Sequence, residues 1–155
     1  MQLDMGNDFQ RQLGLEQSKM KERMSEYEAA WDSAWKCKDF DLVSMHFADD
    51  GLDYSDYGVR ELQMDKSALA ASFNSMAPLI KETTINTTNI LGAVDFCIWE
   101  YSFEFTLAEE TSKVPYRKGE RVRFLNATVI EWNAQGRIIK QHDYGVWDKP
   151  SKAGA

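Results

Sequence analysis

The chain has 155 residues and a formal net charge of -7. That balance excludes a nucleic-acid binder, because neutralising phosphates takes clustered Lys and Arg. Hydrophobic content of 43% with 12% aromatic residues excludes a disordered chain and predicts one packed domain over 1–155.

Residues 1–15 are polar and read as an N-terminal extension. They carry no basic region followed by an apolar run, and no stretch of the chain approaches a membrane span, so a cytoplasmic protein without a membrane partner is expected. A helix is predicted from about Phe9 to Cys37, with Met20, Met24, Tyr27, Trp31 and Trp35 on one stripe at steps of three or four. A second helix is predicted over residues 40–48, where Phe40, Val43 and Phe47 recur at helical spacing. Asp49-Asp50-Gly51 breaks it, and Gly51 suits a positive-φ position. The following strand puts Asp53, Ser55 and Tyr57 on one face and Leu52, Tyr54 and Asp56 on the other. Asp65 is a good N-cap for a third helix with Leu69, Phe73, Met76 and Ile80 on its buried face.

From Thr83 the pattern changes to β. Residues 83–91 are rich in β-branched side chains and read as a strand. Residues 92–95 are a turn, and residues 96–108 form a long strand with Trp99, Tyr101, Phe103 and Phe105 on one face. Residues 109–119 read as an exposed hairpin loop. Strands over 120–133 and 137–147 flank the turn Asn133-Ala134-Gln135-Gly136, and residues 148–155 read as a flexible tail. Helices followed by strands indicate an α+β fold, in which a strongly curved mixed or antiparallel sheet forms a cone with an internal pocket.

The two cysteines, Cys37 and Cys97, form no CxxC or Cys/His set. The two histidines, His46 and His142, are too few for a facial triad, so no metal is expected. No glycine-rich phosphate loop follows a strand, so no nucleotide cofactor is implied. Five Trp, six Tyr and eight Phe suit a pocket for an apolar, ring-containing small molecule.

Asp143 shares a strand face with Ile139 and Gln141. A carboxylate inside an aromatic-lined pocket has its pKa raised by desolvation and is poised for proton transfer beside a carbonyl. Asp53 or Asp56 facing the same pocket would let two carboxylates divide acid and base roles. Ser55 and Tyr57 belong to that cluster, and a bulge would exchange which of Ser55 and Asp56 points inward. Asn126 and Thr128 alternate along one strand and suit hydrogen bonds to an enolate or hydroxyl oxygen. Trp31, Trp35, Tyr101 and Phe103 suit stacking on ligand rings, or equally core packing. Which face of the long strands looks inward is not fixed by periodicity.

The order of elements, the Phe47-Ala48-Asp49-Asp50 turn, the Glu131-Trp132-Asn133-Ala134-Gln135-Gly136-Arg137-Ile138 hairpin and the closing Asp143-Tyr144 resemble a SnoaL-like protein of the nuclear-transport-factor-2-like superfamily. The resemblance spans roughly residues 27–147. It implies a conical α+β barrel with a deep pocket, a homodimer through the sheet, and no cofactor. It also implies chemistry of the kind found in polyketide cyclases, ketosteroid isomerases, scytalone dehydratases or epoxide hydrolases. Other members have no catalytic activity.

The steroid isomerases' oxyanion tyrosine falls on Trp31, their base on Ser55 and their protonated aspartate near Thr128. Scytalone dehydratase's tyrosine-aspartate pair falls on Trp35-Lys36 and its first pocket histidine near Asn89. Neither machinery is present. The general acid/base aspartate of SnoaL-like cyclases matches Asp143. The resemblance therefore implies a cofactor-independent isomerase or cyclase acting on an apolar polyketide or terpenoid-type intermediate. A non-catalytic binding module of the same fold is the second reading, and an epoxide hydrolase or dehydratase the third.

Overall fold

The computed structural model describes residues 5–152. In chain order it has α1 (Met5–Cys37), α2 (Asp41–Ser44), β1 (Asp53–Asp56), β2 (Glu61–Met64), α3 (Lys66–Met76), a 3-10 turn (Ala77–Leu79), β3 (Ile80–Ala93), β4 (Phe96–Leu107), β5 (Arg121–Trp132) and β6 (Ile138–Trp147). The strands form one six-stranded sheet in the order β2-β1-β6-β5-β4-β3. The architecture is the expected α+β, but the sheet does not close into a barrel, and β2 and β3 are its edges.

The predicted stripe of α1 is the one that packs. Met20, Met24, Tyr27 and Trp31 join Phe47, Trp99, Ile130 and Ile138 in the main core, as expected for a helix with one apolar face. α2 is much shorter than its sequence pattern suggests. After Ser44 the chain is captured by β6: Ala48 N–H donates to the Ile138 carbonyl at 2.9 Å, and Ile138 N–H donates to the His46 carbonyl at 2.7 Å. Phe40 and Phe47 still meet, stacked at 6.3 Å between ring centres. Asp65 caps α3 as predicted, accepting from Ala68 N–H at 2.8 Å. The helix stops at Met76, because Pro78 has no N–H to continue it, and Ile80 opens β3 instead of lying on the helix face.

β1 pairs in parallel with β6, which makes the sheet mixed. β2 was not foreseen; it has four residues, without alternating β-branched side chains, and forms by pairing antiparallel with β1. β3 is longer than expected and bends at irregular pairings between Lys81 and Thr84 and between Thr87 and Asn89. Its hairpin into β4 depends on Gly92, which has φ +146°; a Cβ there would lie 2.2 Å from the Phe96 carbonyl oxygen.

The segment 109–119, expected as an exposed hairpin loop, is exposed towards its ends but buried at its centre. Val114 and Tyr116 are buried in a second cluster with Ile80, Phe105, Leu107 and Val122. Residues 148–152, part of the expected tail, are tied down: Asp148 N–H donates to the Arg123 carbonyl on β5 at 2.9 Å, and Lys152 N–H to the Pro115 carbonyl at 3.0 Å. Residues 153–155, like residues 1–4, lie outside the described ones. Among the described residues no helix is long and apolar enough to cross a membrane.

Phe47 is fully buried and touches the rings of Tyr27, Trp31, Phe40 and Tyr54. Phe47→Ala should therefore cost about 3–5 kcal/mol of stability, read as a fall in the urea unfolding midpoint.

Candidate active site

Strand register assembles the site. In the parallel pair, Tyr54 lies beside Gln141 and Asp56 beside Asp143. Across the antiparallel pair β5–β6, Thr128 lies opposite Asp143, and across β4–β5, Tyr101 lies opposite Asn126. Side-chain alternation then directs Tyr54, Asp56, Asn126, Thr128, Gln141 and Asp143 to the face covered by α1 and α3. A cavity of about 140 Å³ opens between that face and the helices. Asp56, Asp143, Asn126, Trp31, Trp35, Tyr101 and Phe103 line it, with Tyr54, Phe73, Phe124 and Trp147. A volume of this size exceeds the roughly 10–15 Å³ that one water needs. The aromatic walls are in contact: Trp35 sits 4.4 Å from Phe73 and 5.4 Å from Phe103, and stacks on Trp31 at 6.0 Å.

Asp143 is 2% exposed and takes hydrogen bonds on both oxygens. Tyr54 O–H donates to Oδ2 at 2.5 Å. Thr128 O–H donates to Oδ1 at 2.7 Å, and Gln141 Nε2–H donates to the same oxygen at 3.0 Å. Gln141 also donates to the Tyr54 hydroxyl at 3.1 Å and accepts from Tyr27 O–H at 2.5 Å. Burial pushes the Asp143 carboxyl above its ordinary range, and the three donors, with the His142 charge, pull it partly back.

Asp56 is held differently. Its Oδ1 accepts from the backbone N–H groups of Gly58 and Val59 at 2.9 and 3.2 Å. Burial, reinforced by the neighbouring Asp143 charge, pushes its carboxyl up to about 7. Burial also raises the Tyr27, Tyr54 and Tyr101 hydroxyls well above their ordinary value. The two carboxyls thus sit side by side in one cavity, one surrounded by donors and the other able to hold a proton near neutrality.

Three residues placed in the site from sequence lie elsewhere. Asp53, Ser55 and Tyr57 occupy the opposite face of β1, because alternation that turns Tyr54 and Asp56 inward turns them out. Asp53 pairs with His142 Nε2 at 3.0 Å. Ser55 Oγ accepts from Gln63 N–H at 2.9 Å. Tyr57 stacks on Tyr144 at 4.9 Å between ring centres, on the outer surface. Thr128 and Gln141 do not border the cavity themselves; they act on Asp143 from behind it.

Sequence reasoning missed Tyr54, which bonds Asp143 directly, and favoured core over pocket for Tyr27. The signal for Tyr54 was its place in the Leu52-Tyr54-Asp56 alternation. Phe124 was also passed over. Its ring lies over two glycines: a Cβ at Gly145 would meet Phe124 Cζ at 2.1 Å, and one at Gly58 would meet it at 2.2 Å.

No family model matches the chain. Cyclase aurE of Calcarisporium arbuscula is 26% identical over 127 residues, which is 82% of this chain and 87% of that protein. Among solved structures, AclR from Streptomyces galilaeus, a candidate hydroxylase, superposes with a TM-score of 0.68 at 14% identity, over 86% of this chain and 81% of its own. A candidate SnoaL-like polyketide cyclase from Shewanella denitrificans gives a TM-score of 0.63 at 12% identity, over 83% of this chain and 89% of its own. The chain has the fold of SnoaL-like and nuclear-transport-factor-2-like proteins, as the resemblance read from its hairpin and closing aspartate implied.

The raised Asp56 carboxyl makes stability depend on pH. Between the ordinary value of 3.8 and about 7 the folded chain binds more protons than the unfolded one, so stability is greatest below that window and falls as pH rises through it. Asp56→Asn keeps an oxygen for Gly58 and Val59 and has no proton to lose. It should shrink this fall and exceed the wild type in urea stability at pH 8, with little difference at pH 4.

Proposed function

We propose that the protein is a cyclase or isomerase that handles a polyketide-type intermediate by general acid-base chemistry, without a cofactor in the reacting step. The observation that carries this reading is the buried Asp143 carboxylate, ringed by three donors and set beside an Asp56 carboxyl pushed up to about 7, in an aromatic cavity. Similarity to cyclase aurE and to a candidate SnoaL-like polyketide cyclase supports the reaction class.

Asp143 acts as the base. Its oxygens already accept from Tyr54, Thr128 and Gln141, an arrangement that favours the ionised form, so at neutral pH the single proton of the pair rests on Asp56. Asp143 removes a proton from carbon next to a substrate carbonyl, leaving an enolate. In ring closure the enolate carbon attacks a second carbonyl carbon, the C=O electron pair moves to oxygen, and Asp56 delivers its proton there. The proton taken by Asp143 then crosses to Asp56 and resets the pair. In simple isomerisation it returns to a different carbon. The aromatic walls of Trp31, Trp35, Tyr101 and Phe103 hold a conjugated chain folded and keep water from the enolate.

The test is conversion of a linear polyketide intermediate to a ring-closed product whose mass is unchanged or lower by one water, followed by chromatography with mass detection. Asp143→Asn should lower kcat about 10²- to 10⁴-fold while far-UV circular dichroism stays unchanged; wild-type turnover by this variant would sink the assignment. Tyr54→Phe removes one of the three donors, so the Asp143 pKa rises and the acidic limb of the kcat/KM profile should move to higher pH.

A further inference from the structure

The cavity wall carries a third acid and a cation that the proton transfers above do not use. Among the described residues that line it, the charged groups are Asp56, Asp143, Glu61 and Lys113, with the hydroxyls of Tyr54 and Tyr101 beside them. The helices α1 and α3 contribute only uncharged side chains to that lining. β2 supplies Glu61, in antiparallel register with Asp56 on β1. β6 supplies Asp143, in parallel register with the same Asp56. Residues directly opposite on neighbouring strands share a sheet face, with Cβ atoms about 5 Å apart. Asp56 is therefore the middle one of three carboxylates in a row across β2, β1 and β6.

Lys113 closes the row at the β2 end. It pairs with Glu61 across 52 positions of sequence, and it stands directly before Val114, which is buried and anchors the segment. The Glu61 side chain is 18% exposed and that of Lys113 35%, so the pair is less screened than one on the open surface. Burial opposes the charge on Glu61, but the Lys113 ammonium outweighs it and holds that carboxyl below its ordinary range.

A negative charge beside Asp56 makes its proton harder to remove. Burial and the Asp143 charge contribute most to this, and the Glu61 charge adds to them from the other side. Neighbouring strands lie about 4.8 Å apart, so Asp143, one strand further from β2, feels Glu61 less. One charge thus acts unequally on two acids that share a proton.

We infer that Glu61 is a positioning residue for that proton: set in register beside Asp56, its carboxylate biases the proton towards Asp56 and away from Asp143, and Lys113 limits how strongly it does so. The inference rests on the acid-base reading of the site, in which a proton held on Asp56 leaves Asp143 free as the base. It also gives β2 a task, since this short edge strand is what carries Glu61 to Asp56.

The test is the pH titration of the aspartate carboxyl carbons in the ¹³C-labelled whole chain, followed by NMR, with Asp56→Asn and Asp143→Asn identifying the two resonances. Glu61→Gln should move the Asp56 titration to lower pH by about half a pH unit or more, the effect of one charge roughly 5 Å away even with the screening of water. Lys113→Met should move it to higher pH, and Lys113→Arg should leave it at the wild-type position. Glu61→Gln and Lys113→Met break the same ion pair, so loss of a structural contact would move the titration alike in both, whereas an effect of charge requires opposite signs. If either lacks a cooperative thermal transition, Glu61→Met or Lys113→Gln takes its place. No substrate enters the titration, so it can succeed where the turnover test of Asp143→Asn fails, and the reverse. With substrate, the basic limb of the kcat/KM profile should follow the Asp56 titration in each variant. An unmoved Asp56 titration in the Glu61 variant, or shifts of the same sign in the Glu61 and Lys113→Met variants, would overturn the inference.

Discussion

Keeping one carboxylate, Asp143, out of water constrains the rest of this molecule. An ionised group so deeply buried is tolerated only when donors replace its hydration shell. Here they come from three different strands: Tyr54 on β1, Thr128 on β5 and Gln141 on β6 itself. α1 contributes at one remove, through Tyr27 on Gln141. The sheet order β2-β1-β6-β5 is what allows this convergence, because β6 lies between the strand carrying the tyrosine and the strand carrying the threonine. A β1 that paired elsewhere would leave Oδ2 without its partner and Asp56 without its neighbour.

The same convergence explains the asymmetry of the two acids. Asp143 is surrounded by side-chain dipoles aimed at it, whereas Asp56 is anchored by backbone N–H groups on one oxygen only. Identical side chains, adjacent in register, thus sit in different hydrogen-bonding surroundings. On the cavity wall, Asn126 Nδ2 donates to the Tyr101 hydroxyl.

Much of the fold was legible in the sequence. The stripe from Met20 to Trp31, the Asp65 cap and the aromatic alternation from Trp99 to Phe105 are local patterns, and local patterns survive folding. The Asp143 position came from family resemblance, and its burial with Gln141 followed the period-two pattern of β6. Less legible were features decided by a partner distant in sequence. β1 pairs with a strand almost ninety positions on; nothing within residues 53–56 says that this pairing is parallel, or which face turns inward. The alternation separated Asp53, Ser55 and Tyr57 from Tyr54 and Asp56, yet the choice of face was made by β6. β2 had no pattern of its own. Val114 and Tyr116 stand in a polar stretch, and their burial is created by the second cluster they complete.

The placement of Phe124 over Gly58 and Gly145 has a consequence for how such a cavity diversifies. Those glycines are absences that give the ring its resting place; a Cβ at Gly145 would meet the ring first, whereas Gly58 N–H also bonds Asp56 Oδ1 and a Cβ there would lie 3.3 Å from that oxygen. The volume offered to a substrate is therefore adjustable from the rear of the ring: any larger residue at either position would tilt the phenyl group forward and shorten the chamber. The two positions therefore differ: a larger residue at 145 would act on the cavity through the ring, whereas one at 58 would press on Asp56 as well.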